Sequence, residues 1–262
     1  MKQRAFSLFG NIAIVNFSNS STKKEKLNFA TEIMNKNKGI LTVLEKLGKF
    51  RGRLRKQTTK FIAGVKTKEA VYRENNCIFR FNVDDTYFSP RLSNERKEIA
   101  GKIKKNDDVF VSFAGVSPFS IVIAKNSSAK KVYSNELNRK ANEYARENIL
   151  RNKVQDKVEL VPGDFKKVSE KLKKEKKTFD VIVMPRPQLK ETFLQEAFNL
   201  SKKGTRIYYY DFCPVKEVNE KVEMIEKIAK KLKRKIKITN VKNAGEVAPY
   251  KVRVRIDFEL RN

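Results

Sequence analysis

The chain has 262 residues, 59 Lys+Arg against 30 Asp+Glu, a formal net charge of +29, and neither histidine nor tryptophan. Without histidine there is no Ser-His-Asp triad, no Cys-His pair and no imidazole metal site, so a general base must be a carboxylate, lysine, tyrosine or backbone group. A hydrophobic fraction of 40% supports a real core, and the charge excess calls for a polyanionic partner, a nucleic acid or an anionic membrane. Cys77 and Cys213 lie far apart, which suits a reducing compartment and gives no zinc site. No apolar run approaches the length of a membrane span and no signal-peptide core opens the chain, so a soluble, cytoplasmic protein is expected.

In chain order, residues 6–17 read as a hairpin turning at Gly10-Asn11. An amphipathic helix over 23–35 and a short apolar element over 40–47 follow. Residues 46–68 hold nine Lys/Arg and no acid. Arg51, Arg53 and Arg55 alternate at strand spacing, so one face presents three guanidinium forks suited to phosphate. The plainer reading is an edge strand kept positive against aggregation. Strands are expected at 58–65, 69–73 and 77–83, making residues 1–92 a small mixed α+β domain.

From residue 93 strands and helices alternate. A helix opens at Ser93, strand 109–113 leads into the turn Ala114–Pro118, and a helix runs to Lys125. Strand 131–136, helix 139–152, strand 158–161, strand 179–184, helix 189–200, strand 206–211 and helix 217–233 follow, with two closing strands at 235–241 and 251–260. Such alternation predicts an α/β, Rossmann-like domain over 93–262, its sheet mainly parallel and covered on both faces. Ligands in these sheets bind at strand carboxyl ends. Three such ends carry chemistry: Ala114-Gly115, where backbone approaches closely; Glu136, able to accept both ribose hydroxyls; and Gly163-Asp164, placed for an adenine amine. The GxGxxG fingerprint is absent, so S-adenosylmethionine is expected rather than NAD. Taken singly, each acid could be only a helix cap or loop residue.

Tyr87-Phe88-Ser89-Pro90-Arg91-Leu92 with Glu95-Arg96 resembles the YFSPRL…ER signature of the archaeal and eukaryotic tRNA (guanine-37-N1) methyltransferases. Phe113–Phe119 resembles their FAGVGPF loop, Glu136-Leu137-Asn138 their acidic strand end, and Arg146–Ile149 with Asn152 their KENIKLN helix. The opening FSLFGNIAIVNF resembles FDIIGDIAII, and Ala248-Pro249-Tyr250 a late YAPG turn. Some members carry an additional N-terminal module. This chain begins where their second domain begins, so that module is expected to be missing.

The resemblance implies a tRNA partner, S-adenosylmethionine as cofactor, no metal and a monomer. It implies that Glu95 takes the guanine N1 proton, although a Glu in a first helical turn otherwise only complements the dipole. Arg55 would stabilise charge on O6, with Arg96 in support. Tyr87 and Arg91, counted with the cofactor site, would line the boundary between cofactor and base, and Phe113, Gly115, Glu136, Leu137, Asp164, Phe165 and Pro185 would line the cofactor site. Lys49, Arg51, Arg53 and Lys56 would hold phosphates. The sequence departs from the pattern at Ser112, at Ser117 and at Met184-Pro185-Arg186-Pro187, where Pro185 replaces an amide side chain and Arg186 is expected to compensate by contacting the RNA. An altered base pocket suits the archaeal branch resembling wyosine-pathway enzymes, so C7 methylation of 4-demethylwyosine at the same position is a second expected activity. The rival reading is a non-catalytic tRNA-binding protein with a degenerate methyltransferase fold.

Overall fold

The computed structural model describes residues 6–52 and 56–262. Strands β1 (Phe6–Phe9) and β2 (Ile12–Val15) form the expected hairpin. Gly10 turns it at φ +61° where a Cβ would collide with the Val71 carbonyl. Helix α1 (Lys23–Lys36) starts with a capping box: Thr22 Oγ1 accepts from Glu25 N and Glu25 Oε2 accepts from Thr22 N. It buries Ala30 and Ile33 against Ala13, Val15 and Val43. It crosses over so that β3 (Thr42–Arg51) runs parallel to β2, and β4 (Lys56–Gly64) returns antiparallel to β3. These four strands form one sheet in the order β1-β2-β3-β4.

Strands β5 (Glu69–Glu74) and β6 (Cys77–Asn82) form a separate hairpin. Asn75 and Asn76 turn it with φ of 47° and 60°, as a two-residue turn with both centres left-handed requires. Its free edge docks on the second half of the chain. Asn152 Oδ1 and Nδ2 bond the backbone of Ile78 at 2.8 and 2.7 Å, and Asn148 does the same for Arg80 at 2.8 and 3.0 Å. The match is geometric: four helical residues rise about 6 Å and two strand residues about 6.8 Å. Two asparagines one turn apart thus satisfy a strand edge that would otherwise stand unpaired.

The second half contains α2 (Ser93–Lys102), β7 (Asp108–Val111), α3 (Pro118–Asn126), β8 (Lys131–Glu136), α4 (Arg139–Arg151), β9 (Val158–Pro162), α5 (Phe165–Lys174), β10 (Phe179–Met184), α6 (Leu194–Asn199), β11 (Ser201–Pro214), α7 (Val218–Lys231), β12 (Ile236–Ala248) and β13 (Lys251–Leu260). Seven strands make one sheet in the order β12-β13-β11-β10-β7-β8-β9. β7 to β11 are parallel, and β13 is inserted antiparallel between β11 and β12. The chain runs outward from β7 through β8 to β9, then jumps back to β10. That reversal sets the crevice at the carboxyl end of β7.

The Rossmann-like reading holds, with three differences of extent. Helix 189–200 is confined to Leu194–Asn199, because Pro185 and Pro187 break the segment and Arg186 Nη2 takes the Leu189 and Glu191 carbonyls at 2.6 Å each. β11 reaches from Ser201 to Pro214 because β13 pairs along it as far as Lys251. β12 extends to Ala248 by pairing with the same strand.

Candidate active site

Three strand ends build one wall of a cavity. After β7 the backbone passes through Phe113, Gly115 and Ser117 with φ of 53°, 59° and 66°. Two non-glycine residues in the left-handed region mark a turn held by its surroundings. At Gly115 a Cβ would stand 3.1 Å from the Tyr87 carbonyl, so glycine lets the two segments meet. The substitution at Ser117 is absorbed by a buried hydroxyl chain: Ser117 and Ser120 Oγ both lie 2.8 Å from Ser134 Oγ. Ser112 is fully buried at the strand end.

Gly115 N–H donates to Glu136 Oε2 at 2.7 Å, and Asn138 N–H donates to Oε1 at 2.7 Å. Both oxygens are thereby aimed, and each keeps a lone pair for a ribose hydroxyl. Burial raises the Glu136 pKa, and the backbone bonds from Asn138 and Gly115 oppose that rise. Asn135 Nδ2 clasps the Val161 and Gly163 carbonyls at 2.7 and 3.0 Å, while Gly163 N–H donates to the Glu136 carbonyl. The β8 and β9 ends therefore form one rigid piece. Asp164 caps α5 through Lys166 N–H and lies on the cavity wall. Phe113 meets Phe165 and Phe193 edge-on with centroids 5.7 and 5.0 Å apart, an apolar cradle for a flat ring. Carboxylate, small-residue turn, acid and aromatic cradle are the groups an adenosine moiety needs, so the residues fit S-adenosylmethionine.

A second, larger cavity adjoins the first. Tyr87, Phe88, Ser89, Phe212 and Arg253 line both. Its remaining wall comes from β1, β2, the β3–β4 pair and the tip of the β12–β13 hairpin, with Lys46, Arg91, Lys251 and Arg253 as its cations. The Arg253 guanidinium lies over the Phe212 ring at 5.0 Å.

The structure sorts the sequence-predicted residues. Tyr87, Phe113, Gly115, Glu136, Leu137, Asp164, Phe165, Pro185, Arg96 and Arg186 border the first cavity. Arg91 does not: it is exposed and faces the second cavity, because the Pro90–Leu92 3-10 turn carries it to the other side of Tyr87. Arg96 is buried against Glu74, which pairs with Nε and accepts from Nη2 at 2.6 Å, and Nη2 also donates to the Ser89 carbonyl. Its fork is spent on fixing the Ser89 turn. Glu95 borders neither cavity. Its Oε2 accepts from Arg255 Nη1 at 2.6 Å and from the Tyr210 hydroxyl at 2.9 Å, and Lys242 Nζ is 3.0 Å from Oε1. Arg186 is 2% exposed, paired with Asp211 and spent on two carbonyls. It is a clasp for residues 187–191 that borders the first cavity with its Nε unpartnered, and its burial sets it apart from the RNA contact expected from its position beside Pro185. Lys56 opens β4, half-exposed and 4.0 Å from Asp85. Arg53 and Arg55 lie outside the described residues, as do the side chains of Lys49 and Arg51.

Residues not singled out from sequence are Asn135, Phe193, Phe212 and Arg253. The alternation Val252-Arg253-Val254-Arg255-Ile256-Asp257 holds a signal for Arg253: three charged residues on one face of a strand that is buried throughout must meet polar partners or a ligand.

Residues 70–239 match the model of the TRM5/TYW2 methyltransferase domain. The chain is 31% identical to the Nanoarchaeum equitans protein named tRNA (guanine(37)-N(1))/4-demethylwyosine(37)-methyltransferase Taw22, over 98% of this chain and 99% of that one. It is also 31% identical to the Pyrococcus abyssi tRNA (guanine(37)-N(1))-methyltransferase Trm5b, over 98% of this chain and 74% of that one. The crystal structure of the Pyrococcus abyssi Trm5b superposes with a TM-score of 0.86, covering 98% of this chain and 75% of that chain. A solved complex of aTrm5 with tRNALeu superposes at 0.85 with 25% identity, covering 98% and 72%. Sheet order, cofactor cradle and sequence agree, and the chain belongs to the TRM5/TYW2 methyltransferase family.

Proposed function

We propose that the protein transfers a methyl group from S-adenosylmethionine to N1 of guanine-37 in the tRNA anticodon loop. The observation that carries this reading is the shared wall of Tyr87, Phe88, Ser89, Phe212 and Arg253 between an adenosine-shaped cavity and a larger cation-lined one. When bound, the cofactor supplies an electrophilic methyl, so the chain's own work is to orient the base, move one proton and exclude water. Glu136, Asp164 and the Phe113–Phe165 cradle hold the adenosine end. Residues 1–92 form the RNA-contacting part and residues 93–262 the methyltransferase part, acting as a cytoplasmic monomer. The target base leaves its stack to reach the shared wall. Arg253 is the cation there, and it opposes negative charge that builds on O6 as N1 loses its proton.

Two carboxylates are in line for that proton. Glu246 stands on the wall of the second cavity. Glu95 stands one layer back, because the Tyr210 ring that holds it packs on Phe119 of the first cavity. In the described arrangement Glu95 is a positioning residue that ties α2 to β11 and β13. pH–rate profiles of Glu95→Gln and Glu246→Gln identify the acceptor: the variant that loses the rising limb has lost the base.

A second reading is C7 methylation of 4-demethylwyosine at position 37. The 31% identity over 98% of this chain to the Nanoarchaeum equitans protein whose name carries both activities favours it, whereas Pro185 lies on the cofactor cavity. Transfer of labelled methyl to tRNA carrying guanine-37, adenine-37 or the tricyclic base tests both readings. Label on guanine-37 alone removes the second, and label on neither substrate removes the proposal.

A further inference from the structure

We propose that the edge of the seven-stranded sheet opposite the cavities is a second RNA surface, a track that grips phosphates without reading sequence. The cavities lie at the carboxyl ends of β7 to β11. Each strand of the sheet that starts at the other edge carries an exposed lysine at its first residues or in the loop before it. In spatial order these are Lys233 before β12, Lys203 in the irregular first turn of β11, Lys176 before β10, Lys105 before β7, Lys130 before β8 and Lys153 before β9. Seven strands spaced about 4.8 Å apart make this edge roughly 29 Å long. None of the six lysines has a carboxylate within ion-pair distance among the described residues. Four acids along the edge are matched by other cations, Asp107 by Arg206, Asp108 by Lys177, Glu175 by Lys171 and Asp180 by Lys202, while Asp156, exposed in the loop before β9, interrupts the row beside Lys153.

Local structure accounts for only part of this row. A helix dipole favours cations within the last turn, yet Lys105, Lys130 and Lys203 lie three or four residues past the ends of α2, α3 and α6. Lys153, Lys176 and Lys233 each sit two residues past a helix end with φ of 57°, 56° and 55°. That left-handed position suits glycine or asparagine and strains any residue with a Cβ, although a cation beside the last helical carbonyls is favoured. Three separate helices thus place a lysine where the backbone disfavours one. Of the large exposed hydrophobic residues among the described residues, Leu150 in the last turn of α4 adjoins this row, and a single apolar side chain makes no wedge for a lipid surface. Its charge is a row, which fits a phosphate backbone.

The inference concerns binding at a surface remote from the cavities, so loss of methyl transfer does not bear on it. The full chain is compared with the triple variant Lys153→Asn/Lys176→Asn/Lys233→Asn, which removes three charges while relieving the left-handed strain. A second triple variant, Lys105→Gln/Lys130→Gln/Lys203→Gln, removes the charges that are free of strain. Each is titrated with full-length tRNA and with the isolated anticodon stem-loop across a salt series. The expected result for both is an unchanged or raised melting temperature and a salt slope for tRNA smaller by roughly 0.7–0.9 for each phosphate no longer neutralised. An unchanged slope for the stem-loop assigns the track to the body of the same tRNA. Unchanged slopes with every RNA, or loss confined to binding of anionic phosphatidylglycerol vesicles, overturn the proposal.

Discussion

The two cavities are built differently. The cofactor cavity is made from consecutive strand ends of one sheet, and its polar groups are bonded to backbone: Glu136 to Gly115 and Asn138, Asn135 to Val161 and Gly163. The second cavity is assembled from distant pieces, namely β1, the β3–β4 pair, the Tyr87–Arg91 segment and the β12–β13 tip. Its walls are long side chains on separate elements. The first suits a small molecule in a fixed frame, and under the proposed function the second admits a flipped base on a macromolecule. The seam between them is backed by the asparagine-docked β5–β6 hairpin, whose Phe81 stacks on Phe88 of the shared wall with centroids 4.6 Å apart.

The largest effect falls on that seam. Asn148→Ala with Asn152→Ala leaves the Ile78 and Arg80 backbone groups without partners, a loss of about 1–3 kcal/mol for each buried group. Denaturant unfolding measures it, and an unchanged midpoint would show that the hairpin is held by apolar packing alone. Next is Glu136→Gln, which removes the charge that both backbone amides and both ribose hydroxyls address. Cofactor affinity should fall about 10–100-fold, the equivalent of roughly 1.5–3 kcal/mol. Because burial raises the Glu136 pKa, cofactor binding should be intact above that raised value and weaken as acid protonates the carboxylate. The variant should lack this pH dependence in calorimetry. A smaller effect is expected for Gly115→Ala, which forces a Cβ into the left-handed region beside the Tyr87 carbonyl, about 1–2 kcal/mol or roughly tenfold in cofactor affinity. The smallest concerns Glu98. Its bond from Arg255, reinforced by Lys242, lowers its pKa from 4.5 to about 2. A lowered carboxylate stabilises the fold above its unfolded pKa and loses that contribution as pH falls from 4.5 through about 2. Glu98→Gln should flatten this part of the acid limb, modestly because the carboxylate is a third exposed.

The two cavities also differ in how far the sequence reveals them. The cofactor half is legible because its residues sit at positions that strand–helix alternation locates: Gly115, Glu136 and Gly163-Asp164 each follow a recognisable strand. The other half depends on pairings across long separations. Glu95 reads as an available carboxylate, but its partner Arg255 is 160 residues away, and no local pattern announces the pair. Arg186 reads as an RNA contact because it stands beside the proline that replaces an amide side chain, yet Asp211 and two carbonyls of the following loop bury it. Arg91, expected at the boundary of cofactor and base, lines the second cavity beside Tyr87, which lines both. Arg253 is hidden in a strand that reads as any alternating strand until β13 is seen to run between β11 and β12.

The central claim is that the cofactor and the base occupy separate cavities that meet at one wall. It is tested most directly by measuring cofactor dissociation constants and tRNA kcat/KM at saturating cofactor for Glu136→Gln and Arg253→Met side by side. The account predicts that Glu136→Gln weakens cofactor binding while tRNA kcat/KM under saturation stays near the unsubstituted value. It predicts that Arg253→Met lowers tRNA kcat/KM about 10–100-fold, as loss of a charge-assisted contact of roughly 1.5–3 kcal/mol implies, with cofactor binding unchanged. Equal loss of both quantities in both variants would contradict it.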